Sequence, residues 1–529
     1  MEQNLSLVEK KSIPMSGDMN NPVCIDPTNT VTIDFSTITS ENTTKDISSL
    51  KLYKIENEGT WVSHHEILTD QDPISANPLH VTLITKDKKQ LIEGEEYQIE
   101  LKFKDESFVK SYFAVNYTFD LESKGIAALT GRKMVIAISD IHLGQNNDYA
   151  EFNKNRPALK TFLTKMKSAP NVKELVIVGD LFDEWFIPAT VDTYGGGTQK
   201  EFLDKIVNNN KDIITAVDDL SKTQDFVVTY VPGNHDLTIT NAEIAGILPK
   251  VKQIVETQGL GSYSPIGFPQ AIMEHGHRYN MFCAPDPYSN AQIAKGSILP
   301  PGYFFTRVAV TSSREKTAPL YPIPHINPTY GSESQYLCYL YAAMWEGILK
   351  TFPVTQAFDD KFIVTKINGF NENYALSDIM PYKKPDGTLD MVLYHGIQDN
   401  WEKIQTANNV KVHIRTSEAI VQANDVEYTD KMSNIQYFSD TKTDTRIVLF
   451  GHTHVPKIRT YSTHDQKKAI YVNSGTWIDN NKTEPTMTFV VLIPRKGPKS
   501  MPAFVNLYRY LPNGRIVKLD AQAITGLKL

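Results

Sequence analysis

Between Thr30 and Tyr117 apolar residues recur at every second position, as in Val31, Ile33 and Phe35 and again in Tyr97, Ile99, Leu101 and Phe103. Successive side chains of a strand point to opposite faces, so this period predicts strands with one buried face. Residues 50–53, 81–84 and Phe108–Val115 read as further strands, and Glu93-Gly94-Glu95 supplies turn chemistry between two of them. Residues 30–118 are therefore expected to form a small all-β sandwich, preceded by an N-terminal tail over residues 1–29.

After a connector at 121–132 the pattern changes. Met134–Ile138, residues 175–178 and Val227–Val231 are continuous apolar runs, as suits strands covered on both faces. Between the first two, Leu159, Phe162, Leu163 and Met166 fall on one helical face, and between the second and third Ile213, Ile214, Val217 and Leu220 do the same. The order strand, helix, strand, helix, strand predicts a layered α/β domain. It is expected over residues 133–529, interrupted at 283–445 by a large insertion rich in proline and aromatic residues. That insertion carries Pro300-Pro301-Gly302-Tyr303-Phe304-Phe305 and a helix through Leu337, Leu340, Tyr341, Met344, Trp345 and Ile348. Residues 446–450, 469–472, Thr488–Ile493 and 504–510 return to strand character.

Composition narrows the class of molecule. A chain of 529 residues exceeds one ordinary core, so two or more domains are expected. No stretch approaches the roughly 18 to 20 apolar residues of a membrane helix. The net charge of −7 lacks the basic surplus of a general nucleic-acid binder, so nucleic acid is not the expected partner, although a local basic pocket is compatible with it. Cys24, Cys283 and Cys338 are odd in number and far apart, which reads as free thiols. The first residues lack the apolar core of a signal peptide, giving a cytoplasmic expectation, or a secreted or periplasmic one if a leader has been removed. Oligomeric state leaves no mark in the sequence.

Five short motifs carry the chemistry: Asp140-Ile141-His142, Gly179-Asp180-Leu181-Phe182-Asp183, Gly233-Asn234-His235-Asp236, His275-Gly276-His277 and Gly451-His452-Thr453-His454. Four of them directly follow an apolar strand. In an α/β sheet the strand ends converge on one edge, so residues distant in sequence meet there. Carboxylates and imidazoles on such an edge suit divalent transition ions, and one aspartate can bridge two of them.

In this order the motifs resemble the calcineurin-like metallophosphoesterase superfamily across residues 134–480. The resemblance implies a layered sandwich of mixed sheets flanked by helices, with two divalent ions (Mn, Fe or Zn). Asp140, His142 and His454 would hold the first ion, Asn234, His275 and His452 the second, with Asp180 bridging. His275 is preferred over His277 as a ligand because it follows the strand-like Ala271-Ile272-Met273. His235 would be the general acid and Asp183 the carboxylate that orients it. The implied reaction is hydrolysis of a phosphodiester, phosphomonoester or pyrophosphate by a metal-bound hydroxide, on a small-molecule or lipid-linked substrate.

Ser139-Asp140-Ile141-His142-Leu143-Gly144, with Trp185 after the second motif, is similar to the bacterial enzymes that cleave the pyrophosphate of UDP-2,3-diacylglucosamine. His235 stands where those enzymes commonly carry Arg, and His277 where they carry Asp. The N-terminal all-β stretch resembles an immunoglobulin-type sandwich.

Lesser features have two readings each. Gly195-Gly196-Gly197 reads as a flexible loop or as a phosphate cradle; the aromatic residues at 303–305 and the Tyr341 and Trp345 face read as core or as a surface for a base or acyl chain. Asn473-Ser474-Gly475-Thr476-Trp477 reads as a turn that supports the site without ligating. Two other functions compete with hydrolysis of a small phosphoester. One is a non-catalytic partner-binding protein that retains a metal site; the other is a nuclease.

Overall fold

The computed structural model describes residues 12–14, 22–27, 30–34, 47–56, 60–66, 79–82, 91–121, 126, 129–315, 322–328, 331–497 and 501–528. The sequence-based readings on Phe35 and on residues 83–84 lie outside these.

The α/β part contains a seven-stranded and a five-stranded sheet. In the first, Lys252–Gln253, Val227–Val231, Val172–Val178 and Met134–Ile138 run parallel, and Thr488–Ile493, Ala503–Tyr510 and Ile516–Ile524 continue it as an antiparallel meander. In the second, Ala271–Glu274, Ile447–Phe450 and Lys468–Asn473 run parallel, edged by antiparallel Ser262–Tyr263 and Lys457–Ser462.

The continuous apolar runs are explained by what covers each face. Val135, Ala137, Val176 and Val178 share a core with Met273, Leu449 and Val472 of the other sheet. Alternate residues Ile136, Ile138, Leu175 and Ile177 pack instead with Leu159, Phe162, Leu163 and Met166 of helix Arg156–Ser168 and with Ile213 and Val217 of helix Lys211–Ser221. A strand buried on both sides has no reason to alternate polar with apolar. Helix Gln199–Asn209, which the sequence reading does not anticipate, starts on Thr198 and Glu201 in a reciprocal capping box. The glycines before it form a turn, with the Gly195 and Gly197 amides bonded to the carbonyls of Asp192 and Tyr194.

Residues 283–445 contain helices Pro301–Glu315, Glu333–Thr351 and Ile397–Ala407 and several shorter ones. Tyr303, Phe304, Tyr341 and Trp345 are fully buried, the last two against Phe282, so these aromatics pack the interior and offer no face to a base or acyl chain. Arg307, also fully buried, is ion-paired with no carboxylate among the described residues. Its guanidinium donates to the carbonyls of Ile187 (2.8 Å), Pro188 (3.0 Å) and Val364 (2.9 Å) and to Thr193 Oγ1 (2.8 Å), fastening the chain that follows Trp185 onto helix Pro301–Glu315.

Toward the N-terminus, strands Val23–Ile25, Phe108–Val115, Glu96–Phe103, Ile47–Glu56 and Thr60–Glu66 form one sheet, and Ser12–Pro14, Thr30–Asp34 and Leu79–Thr82 another. Ser12–Pro14 and Val23–Ile25 fall in the stretch read from sequence as a tail. The first sheet leads directly onto the α/β part: Asn116 and Asn506 exchange side-chain hydrogen bonds at 3.0 and 3.1 Å, and Tyr117 meets Phe504 edge-on.

Candidate metal centre

The parallel strands place residues 139–143, 179–183, 232–236, 274–277 and 451–454 on one edge. Five residues of these loops, Asp140, His142, Asp180, His452 and His454, have φ between +51° and +66°. That left-handed conformation is unusual outside glycine and turns the chain sharply as each strand ends. Loop backbones then approach so closely that side chains are excluded. A Cβ on Gly233 would lie 2.1 Å from Asp180 Oδ1, and one on Gly179 (φ +85°) would lie 2.3 Å from His275 Nδ1.

Two clusters of donor atoms result. In one, Asp140 Oδ1 lies 3.1 Å from His454 Nε2, which is 3.3 Å from His142 Nε2. In the other, His275 Nε2 lies 3.1 Å from Asp180 Oδ2 and 3.0 Å from Asn234 Oδ1, and His452 Nδ1 is 2.8 Å from the same amide oxygen. Asp180 Oδ2 is also 3.6 Å from His142 Nε2, so Asp180 stands between the clusters. His277 is outside them and directs Nε2 to the Gly259 carbonyl at 2.9 Å.

The donor chemistry fits a cation. His275 Nδ1 lies 2.9 Å from the Val178 carbonyl, which keeps a proton on that nitrogen and aims Nε2 into the cluster. Nε2 faces the Asp180 and Asn234 oxygens near 3 Å, and a positive charge there makes the contacts attractive: either a proton, which burial opposes but Asp180 and Asp140 favour, pushing the ring up to about 9, or a bound cation. Burial raises the Asp180 carboxyl, but His275, His235 and His142 outweigh it and hold the group well below its ordinary range. Burial and the adjacent His275 push His452 down to about 3. Burial also works against a charged His142, yet Asp183, Glu151 and Asp180 prevail and push that ring up to about 10.

Asp183 links the metal-like cluster to His235. Its Oδ1 accepts from the amides of Trp185 (2.8 Å) and Phe186 (2.9 Å) and from His235 Nδ1 (2.8 Å), while Oδ2 is 3.4 Å from His142 Nδ1. Trp185 lies against the His235 ring, with centroids 4.8 Å apart. His235 and His454 keep 13% and 25% of their side chains exposed, against 3% or less for Asp140, His142, Asp180, Asp183 and His275, so solvent reaches the site beside these two rings.

Other residues brace the loops. Asp236 receives the amides of Gly233 (2.7 Å) and Leu181 (2.8 Å), tying the second motif to the third. Thr476 Oγ1 and the Trp477 amide both donate to the Asp140 carbonyl, and Asn473 Nδ2 donates to that of Gly451. Glu151, whose Oε2 is 3.5 Å from His142 Nδ1, has no counterpart in the sequence reading. It lies in an irregular loop with no periodicity to mark it.

Residues 133–299 match the family model of calcineurin-like phosphoesterases. No curated protein matches the chain. Among solved structures, a Staphylococcus aureus protein assigned as a 5′-nucleotidase, in complex with alpha-ketoglutarate, aligns over 75% of this chain and 54% of its own, at 9% identity and a TM-score of 0.24. This chain thus spans about half of that protein's length. No helix among the described residues is long and apolar enough to cross a membrane. The family match covers the first four motifs and the strands that lead to them, and residues 133–299 of this chain are therefore similar to calcineurin-like phosphoesterases.

Proposed function

We propose that this protein is a binuclear metal-dependent phosphoesterase, with His235 as general acid. Asp140, His142 and His454 would hold one divalent ion, Asn234, His275 and His452 the other, and Asp180 both. Bound there, two such ions neutralise phosphoryl oxygens and lower the pKa of a water for attack. The observation that carries the reading is the 2.8 Å contact from His235 Nδ1 to Asp183, beside a two-part donor cluster. Asp183, kept ionised by His235 and His142 against its burial, accepts a hydrogen bond from His235 Nδ1–H and so orients the ring with Nε2 outward. His235 Nε2 is then the atom that protonates a leaving alkoxide.

The match to a phosphoesterase family supports hydrolysis of a phosphoester. The choice among diester, monoester and pyrophosphate, and the resemblance to UDP-2,3-diacylglucosamine pyrophosphatases, rest on the motifs alone, chiefly on Trp185 after the second motif. The N-terminal sheets are read as an immunoglobulin-type module and residues 283–445 as the part that selects substrate. The test is a panel of aryl monoester, aryl diester and nucleotide-sugar substrates with Mn²⁺, Zn²⁺ and Fe²⁺. Turnover of none, with ions bound, would leave the non-catalytic reading in its place.

A further inference from the structure

At the opposite end of the seven-stranded sheet, Arg132, Lys133, Lys173, Arg495 and Lys496 line a pocket of about 390 Å³. Lys133 and Lys173 lie just before and just inside strands Met134–Ile138 and Val172–Val178, at the ends where those strands begin. The motifs follow the other ends, so a five-residue strand separates the pocket from them, roughly 17 Å at the usual rise.

The charges in this pocket are not neutralised. Arg132 donates to the carbonyls of Ala169 (3.0 Å) and Val172 (2.7 Å), Lys173 to that of Asp225 (3.2 Å), and Arg495 to that of Gly497 (3.0 Å). Carbonyls satisfy the N–H groups and leave the net charge intact. Lys133 is exposed and its ammonium has no partner among the described residues. Among the described residues, only Lys496 of the five is ion-paired, with Glu95 at 2.7 Å. Among the described residues no carboxylate lines the pocket.

Four uncompensated cations facing one concavity repel each other, and an arrangement of this kind is stabilised by an anion. It stands out in a chain whose net charge is −7. Arginine forks and lysine ammonium groups together suit the several oxygens of a phosphoryl group.

We infer that this pocket is a second, non-catalytic site that binds a phosphate-bearing ligand, either a free phosphate compound or the headgroup of an anionic lipid. It is separate from the motif edge and does not depend on the activity proposed above.

The probe is inorganic phosphate, titrated by calorimetry into the full metal-loaded protein at low salt. Three proteins are compared: wild type, Lys133→Glu/Lys173→Glu, and Asp180→Asn. Wild type and Asp180→Asn should share one binding event that weakens steeply with salt and is about tenfold or more weaker in the double variant. Hydrolytic activity of the double variant should match wild type, which also shows that it folds. A parallel arm measures sedimentation with phosphatidylcholine vesicles carrying phosphatidic acid. Binding to vesicles without binding to free phosphate supports the site with a lipid headgroup as its ligand, provided the double variant loses it. The inference is overturned if the double variant binds both probes as wild type does, or if wild type binds neither outside the motif edge.

Discussion

His235 donates its Nδ1–H to Asp183 across 2.8 Å, and the other oxygen of that carboxylate lies 3.4 Å from His142 Nδ1. One aspartate therefore sets the tautomer of two histidines, one facing the donor clusters and the other facing solvent. Changes at Asp183 and at His235 should consequently differ in reach.

His235→Ala should lower kcat by about 10² to 10⁴ on substrates with poor leaving groups, the usual contribution of a general acid. The loss should shrink as the leaving-group pKa falls, with metal content unchanged. Asp183→Asn should lower both kcat and metal occupancy, since it also loosens His142. A leaving-group series checks this, and an equal loss across the series would exclude His235 as the acid.

Asp180→Asn should reduce bound metal from about two equivalents per chain. Metal that binds only the folded state raises its stability, so a chelator should lower the Tm of wild type and leave that of the variant nearly unmoved. Full occupancy in Asp180→Asn would refute the bridge.

Arg307→Lys should destabilise the protein by about 2 to 3 kcal/mol, because an ammonium cannot reach the set of carbonyls that the guanidinium fork serves. Residues 187–193 continue from the Trp185 that lies against His235, so kcat should fall as well. Urea unfolding and steady-state kinetics measure the two effects. Wild-type stability in the variant would show that the buried fork is dispensable.

Glu96, almost fully buried, has its carboxyl pushed up by burial to about 8. A folded-state value above the unfolded one means that the native chain keeps this proton while the unfolded chain loses it. Stability from this group is whole below about pH 4.5 and is lost as pH rises to about 8. Glu96→Gln should therefore gain about 2 to 4 kcal/mol over wild type at pH 9 relative to pH 5. Thermal unfolding at the two values decides, and a pH-independent difference would mean the acid is already solvated.

The motif edge was legible because four of the five motifs follow an apolar strand directly, and burial on both faces writes itself as an unbroken apolar string. Met134–Ile138, Val227–Val231 and Thr488–Ile493 have the bounds read from the sequence. Helix Pro301–Glu315 was not legible: Pro300-Pro301-Gly302 has the local chemistry of a turn, and burial of Tyr303, Phe304 and Val308 decides the outcome. Glu151 was missed, and Asp236, though part of the third motif, was given no role, for another reason. Their partners, His142 in one case and the Leu181 amide in the other, come from distant loops.

The left-handed φ values at the strand ends bear on how such a sequence can change. Asp140, His142, Asp180, His452 and His454 each occupy a backbone well that disfavours any residue with a Cβ by about 1 kcal/mol. Taken together this approaches the low end of a protein's whole stability, about 5 kcal/mol. Folding and chemistry thus pull these positions in opposite directions. Glycine at any of the five would relieve that backbone cost but would give up the contacts that lock the loops, such as the His235 amide on Asp180 at 2.8 Å and the His452 amide on Asp140 at 3.1 Å, along with the donor atoms themselves.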